Sequence, residues 1–307
     1  MTMNSQIRYI RHNKIDKSKW DAAISSASNG LIYAYSFYLD FMAKNWDALV
    51  LDDYRSVMPL TWNKKFGIHY LYQPPFTASL GVFGDNSLPG LAEEFIRAIP
   101  KKFKLIEIAL NAANQVQSPG HQVTLRNNFV LPLSPGYPSL ATGYRENIRR
   151  NIRKAEQLGC IAKKGIAIHA VIDLAKLILA RVSNIREPDY ANLSKLYHFL
   201  EPRGDAETWG VFSASGELLA SCLYFFSHRR AYYILVGNHP NGRTLGASHY
   251  LIDCFIRDRA GQDLLLDFEG SDIRNLAFFY ASFGAVQENY PFLKINRLPF
   301  WIRWTKS

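Results

Sequence analysis

The chain has 307 residues, 48% of them hydrophobic and 20% charged, which supplies core material for one large domain or two ordinary ones. No apolar run approaches the roughly 20 residues that span a bilayer, and the first residues lack the apolar segment of a secretory leader. Three scattered cysteines (Cys160, Cys222, Cys254) without CxxC spacing argue against a disulfide scaffold or a zinc site and point to a reducing cytoplasm.

In chain order, residues 5–12 alternate as a strand, and 17–27 and 36–44 read as helices with Trp20, Ile24, Tyr38 and Phe41 inward. Strands are expected at 46–51, 56–62 and 68–73, a helix at 88–99, and strands at 104–110 and 122–131. Three prolines, Pro132, Pro135 and Pro138, then mark a stiff linker. Beyond it come a helix at 144–158 stopped by Gly159, a strand at 161–168 and helices at 172–184 and 190–200. Strands follow at 208–213, 218–227 and 231–236, then a helix at 244–257, a strand at 263–268, a helix at 273–283 and closing strands at 286–290 and 293–304. Both halves run strand, two helices, three strands, helix, strand. The fold class is therefore α/β with a mixed sheet, built from two tandem modules, 1–135 and 140–307.

The net charge of +10 implies attraction to something anionic. Half of it lies in 144–164, where seven basic side chains meet only Glu146 and Glu156. Tyr144, Ile148, Ile152, Ala155 and Leu158 form one apolar stripe there, and Arg145, Arg149, Arg150 and Arg153 fill the other face. Arginine suits bidentate binding of phosphate or carboxylate; a solvated charged face is the alternative.

A second stretch, Gly237-Asn-His-Pro-Asn-Gly-Arg-Thr-Leu-Gly246-Ala-Ser-His-Tyr250, leaves a strand through small residues and opens a helix. Backbone amides at such a junction favour an anion. Further on, Asp267 and Glu269 alternate at a strand end and are expected on one side, about 7 Å apart. Carboxylates there sit where open α/β sheets bind ligands and could take a proton from an attacking amine.

The element order and these motifs resemble the GNAT acyltransferase fold, in the doubled form of the Fem-type aminoacyltransferases that build peptidoglycan cross-bridges. Arg243-Thr-Leu-Gly246-Ala247-Ser248 is similar to the Arg/Gln-x-x-Gly-x-Gly/Ala turn whose amides hold the CoA pyrophosphate, with Ser248 in the last position. Tyr280, four before Gly284, resembles the GNAT tyrosine that protonates the leaving thiolate, with Ala285 where Phe is usual. The Arg-rich stretch is similar to the basic helix that opens the second Fem module. The resemblance implies two GNAT-like modules and a cytoplasmic N-acyl- or aminoacyltransferase. It implies an acyl-CoA donor, acetyl-CoA foremost, with aminoacyl-tRNA less supported because no heptad insertion is present, and no metal. The acceptor would be a small molecule or peptidoglycan precursor, held by the Arg-rich helix and by Tyr72 and Gln73 of the first module. Two other readings stay open: a non-catalytic GNAT-like binding protein, and a nucleic-acid-binding protein using the basic helix.

Overall fold

The computed structural model describes residues 6–85, 90–116, 122–270 and 272–299, apart from the side chains of Arg181, Val182 and Arg243. The chain divides into two units, Met1–Arg126 with Asn289–Ser307, and Asn127–Glu288.

The first unit contains β1 (Ile7–Ile10), α1 (Lys17–Ser26), α2 (Ser36–Met42), β2 (Trp46–Leu51), β3 (Ser56–Lys65), β4 (Ile68–Leu71), β5 (Phe83–Gly84), α3 (Leu91–Ala98), β6 (Phe103–Ala109) and β7 (Gln122–Arg126). The second contains β8 (Phe129–Pro132), α4 (Tyr137–Thr142), α5 (Glu146–Gln157), β9 (Ile161–Lys164), α6 (Ile168–Val182), α7 (Glu187–Leu200), β10 (Ala206–Phe212), β11 (Leu218–Ser227) and β12 (Arg230–Asn238). It continues with α8 (Pro240–Leu245), α9 (Ala247–Arg259), β13 (Leu265–Asp267), α10 (Arg274–Ala281) and β14 (Val286–Gln287). The last strand, β15 (Tyr290–Asn296), belongs to the first unit.

The sheets run β1-β2-β3-β4-β6-β15-β7, with β5 beside β3, and β14-β8-β13-β12-β11-β10-β9. Read from the β1 and β9 ends the two orders match, and the matching shows an exchange. Beside the fifth position the first sheet takes β15, which follows the whole second unit in sequence, and the second sheet takes β8, from within the expected first module. β8 pairs antiparallel with β13 and β14, and β15 lies between β6 and β7.

This corrects the expected boundaries 1–135 and 140–307. Phe129–Pro132 is a central strand of the second sheet, and Leu293 and Ile295 pack in the first unit's core with Phe95, Phe103 and Ile106. The expected linker is likewise structured: Pro138 stands in the first turn of α4, where a missing N–H costs no hydrogen bond. The expected strand 122–131 breaks at Asn127–Asn128, where the chain passes from one sheet to the other. The outer part of the closing strand, 300–304, lies outside the described residues.

In the second unit α5 buries Ile148, Ile152 and Ala155 against Leu251, Ile252, Phe255 and Ile256 of α9. Leu158, expected to end that stripe, is instead exposed, because the helix has stopped at Gln157 and the chain turns through Gly159. No helix among the described residues is long and apolar enough to cross a membrane.

Candidate active site

The second sheet opens at its middle. β12 pairs in parallel with β13 only over Arg230–Tyr232 against Leu265–Asp267. β12 then continues six residues further along β11, to Asn238 opposite Ala220. On its other side Tyr233–Asn238 makes no backbone hydrogen bond to a neighbouring segment among the described residues. A parallel pair that diverges leaves amides and carbonyls of one edge available to an extended ligand.

The first unit has the corresponding parallel pair, β4 and β6, but there the gap is filled. The Gln73 side chain accepts from the Ala109 amide at 3.1 Å and donates to the Thr77 carbonyl at 2.9 Å. Leu80 bonds to the Ala109 carbonyl at 2.9 Å and accepts from Asn111 at 2.7 Å. Tyr72 is likewise used internally: its hydroxyl accepts from the Lys44 amide. Gln73, expected to touch an acceptor, instead completes the fold of its own unit.

At the mouth of the gap in the second unit stand Phe268, Glu269 and Tyr280. The Phe268 and Tyr280 rings stack at 4.5 Å, and Tyr233 meets Phe268 edge-on at 6.1 Å. Burial, and then the nearby Glu269 charge, push the Tyr280 phenol well above the usual tyrosine value. Tyr280 is therefore a neutral donor at any physiological pH. Glu269 is half-buried and has φ 65°, a left-handed conformation that a glutamate adopts at a cost of about 1 kcal/mol or more.

That conformation also separates Asp267 from Glu269. The expected side-by-side pair requires a continuing pleat, but the strand ends at Asp267 and the chain turns. Asp267 Oδ1 accepts from the Glu269 amide at 2.9 Å and from Asn128 Nδ2 at 2.9 Å. Its Oδ2 accepts from Arg230 at 2.6 Å, and Arg230 also holds Glu288 through bonds of 2.9 and 3.1 Å. With both oxygens engaged and the side chain buried, Asp267 is the counter-ion of Arg230 rather than a free base. Arg230, which falls between the expected strands 218–227 and 231–236, is the residue that the pattern missed.

The glycine-rich turn carries a second correction. Gly246 ends α8 and begins α9 with φ 75°. A Cβ placed on it would stand 2.4 Å from the carbonyl oxygen of Asn151 in α5. A Cβ on Gly242 would meet the Leu219 carbonyl at 2.4 Å, and one on Gly237 the Ala175 amide at 2.8 Å. Each glycine of the stretch thus admits a neighbouring backbone. The close approach expected of a pyrophosphate at Gly246 is taken by α5. The opening amides of α9, at Ala247 and Ser248, lack carbonyl partners within that helix. They stand at the end of β12, to which the Ser248 hydroxyl is tied through Asn238. The side chain of Arg243 lies outside the described part of the structure.

The arginines of α5 do not converge. The Arg145 guanidinium lies 4.6 Å over the Phe278 ring. Arg149 caps α4 by donating to the carbonyls of Ala141 and Thr142 at 3.2 and 3.0 Å. Arg153 pairs with Glu146 at 2.6 Å, and Arg150 is exposed. His249, unassigned in the sequence, lies edge-on to Phe279 at 4.9 Å, and burial lowers its pKa to about 4. It therefore packs as a neutral ring between α9 and α10.

Residues 142–272 match the family model for the acetyltransferase (GNAT) domain. The matched stretch lies wholly in the second unit and contains the open gap and Glu269, while Tyr280 lies beyond it. Over the whole chain the fold is similar to the crystal structure of FemX, with a TM-score of 0.65 at 13% identity, covering 96% of this chain and 98% of that one. The second unit therefore carries a match to the GNAT domain, and the chain as a whole has the fold seen in FemX.

Among other solved structures of this GNAT fold is the C-terminal domain (DUF2156) of an Agrobacterium fabrum protein designated a lysylphosphatidylglycerol synthetase. It has a TM-score of 0.54 at 11% identity, covering 94% of each chain. L-PGS from Bacillus licheniformis has a TM-score of 0.52 at 12% identity, covering 87% of this chain and 88% of its own. No curated protein matches the chain by sequence. Counted from β9, β12 and β13 are the fourth and fifth strands of their sheet, and among the described residues the gap beside such a parallel pair is filled in the first unit and open in the second.

Proposed function

We propose that the chain is an acyl- or aminoacyltransferase whose second unit holds the donor in the gap between β12 and β13. The observation that carries this reading is the divergence of those strands after Tyr232 and Asp267, with Glu269 and Tyr280 at its mouth. An extended donor, acyl-CoA or the aminoacyl end of a tRNA, lies along the free edge of Tyr233–Asn238. The opening amides of α9, at Ala247 and Ser248, favour negative charge on it. The acceptor is an amine, with a cell-wall precursor the candidate that the resemblance to Fem-type enzymes implies and a lipid headgroup the one suggested by the likeness to the lysylphosphatidylglycerol synthetase domain.

The chemistry is positioning plus proton management. The amine attacks the donor carbonyl, free amides of β12 stabilise the oxyanion, and Glu269 takes the amine proton. The carbonyl carbon's bond to sulfur or oxygen then breaks, and Tyr280 gives its proton to the leaving atom. The two groups are coupled through charge. Burial, and then the charge of ionised Glu269, keep the Tyr280 phenol a poor acid, and when Glu269 takes the amine proton the second and smaller of these influences lifts. Tyr280 becomes more acidic at the step that needs its proton.

The test incubates the purified full chain with radiolabelled acetyl-CoA, or with charged tRNA, and with peptidoglycan precursors or aminated lipids as acceptors. Transfer of label that Glu269→Gln reduces at least about a hundredfold, with an unchanged melt, supports the reading. Failure of both donors to bind or react would leave a GNAT-shaped binding protein.

A further inference from the structure

Three large apolar side chains are left in water on one short piece of the second unit: Ile273 at 64% exposure, Leu276 at 40% and Phe278 at 52%. They lie on or immediately before α10. The same helix is joined to the start of α5. Arg145 lies over the Phe278 ring at 4.6 Å, its amide bonds to the Ser282 carbonyl at 2.9 Å, and Tyr144 meets Phe283 edge-on at 5.4 Å. Phe278 therefore adjoins the most basic part of the sequence, and Ile273 and Leu276 stand earlier on the same short segment. Arg145, Arg149, Arg150, Arg153 and Lys154 are all exposed on α5. The carboxylates nearby are fewer than the cations: Glu146 pairs with Arg153 at 2.6 Å, Glu156 with Arg257 at 3.7 Å, and Asp272 accepts from the Asn127 amide at 3.0 Å. Arg274 adds a further exposed cation one helical turn before Phe278.

We infer that this face docks on an anionic phospholipid bilayer. Three large apolar side chains exposed on one short segment mark an interaction site. Adjoining arginines and lysines specify an anionic partner and not another apolar one. Only a lipid interface satisfies both: Ile273, Leu276 and Phe278 enter the acyl boundary while the guanidinium groups stay at headgroup level. A nucleic acid would use the cations and leave the aliphatic side chains in water. The inference does not depend on whether the second unit transfers an acyl group.

The test is co-sedimentation of the full chain with phosphatidylcholine vesicles, with and without phosphatidylglycerol. The protein is expected to pellet only with the anionic vesicles, and less so as salt is raised. Ile273→Ser with Leu276→Ser, and separately Arg150→Glu with Lys154→Glu, should each lower the partition coefficient roughly tenfold or more. Both pairs are exposed, so the variants should keep the wild-type melt, which is measured alongside. Absence of binding to phosphatidylglycerol vesicles by the wild type overturns the inference. So does binding that the charge variant loses and the apolar variant keeps, or a preference for RNA over vesicles in direct competition.

Discussion

Replacing Gly246 by alanine separates the two roles that a glycine can have at the start of α9. The new methyl carbon would stand 2.4 Å from the Asn151 carbonyl oxygen, on a residue with φ +75°. The left-handed backbone alone costs about 1–2 kcal/mol for a residue with a Cβ. Forcing α5 away adds about 1–3 kcal/mol, as overpacking does in other cores. Gly165, in the same unit, provides the control: it has φ +66° and nothing within 4 Å of a Cβ. Gly165→Ala should therefore carry only the backbone cost. With a urea slope near about 2 kcal/mol per molar, the two variants should differ in midpoint by roughly 0.5–1.5 M, Gly246→Ala being the weaker. Urea titration followed by circular dichroism measures this directly. Equal midpoints, combined with a loss of donor binding in Gly246→Ala alone, would refute the packing account and return this Cα to the ligand.

Arg230→Met should cost about 3–5 kcal/mol, because it leaves Asp267 and Glu288 facing each other without their shared cation; the urea midpoint reports it. Glu269→Gln and Tyr280→Phe should leave that midpoint nearly unchanged, since Phe keeps the stack on Phe268, while transfer falls by about a hundredfold or more for Glu269→Gln. His249 is held neutral in the folded protein, with a pKa lowered from 6.5 to about 4 by burial. As pH falls the unfolded chain takes up this proton first, so stability is lost between about pH 6.5 and pH 4, by up to about 3 kcal/mol. His249→Phe should flatten the midpoint-against-pH curve across that window, and an unchanged curve would place the acid sensitivity elsewhere.

The doubled order of helices and strands is legible because amphipathic periodicity is local, and each run of strands is bounded by its own turns. The exchange of β8 and β15 is not, since nothing within Phe129–Pro132 or Tyr290–Asn296 says which sheet will receive it. Prolines after a strand look the same whether they open a linker or, as Pro138 does, the first turn of a helix. Gly237, Gly242 and Gly246 illustrate a similar degeneracy. A glycine that lets a phosphate approach and one that admits Ala175, Leu219 or Asn151 leave the same mark on the sequence. Glu269 and Tyr280 lie near each other, because the strand end leads directly into the helix that carries Tyr280. Asp267 misled because alternation assumes that the pleat continues, whereas Glu269 is left-handed. Its partner Arg230 is 37 residues away, beyond any local pattern.

Hydrogen exchange of the backbone amides along β12, with and without donor, tests most directly the claim that the donor occupies the β12/β13 gap. Acetyl-CoA or an aminoacyl-tRNA, whichever the protein uses, should slow exchange within Tyr233–Asn238 and at Ala247 and Ser248, and should leave Gln73 and Leu80 of the filled first unit unchanged. Protection confined to the first unit, or to α5, with no change along Tyr233–Asn238, would contradict it.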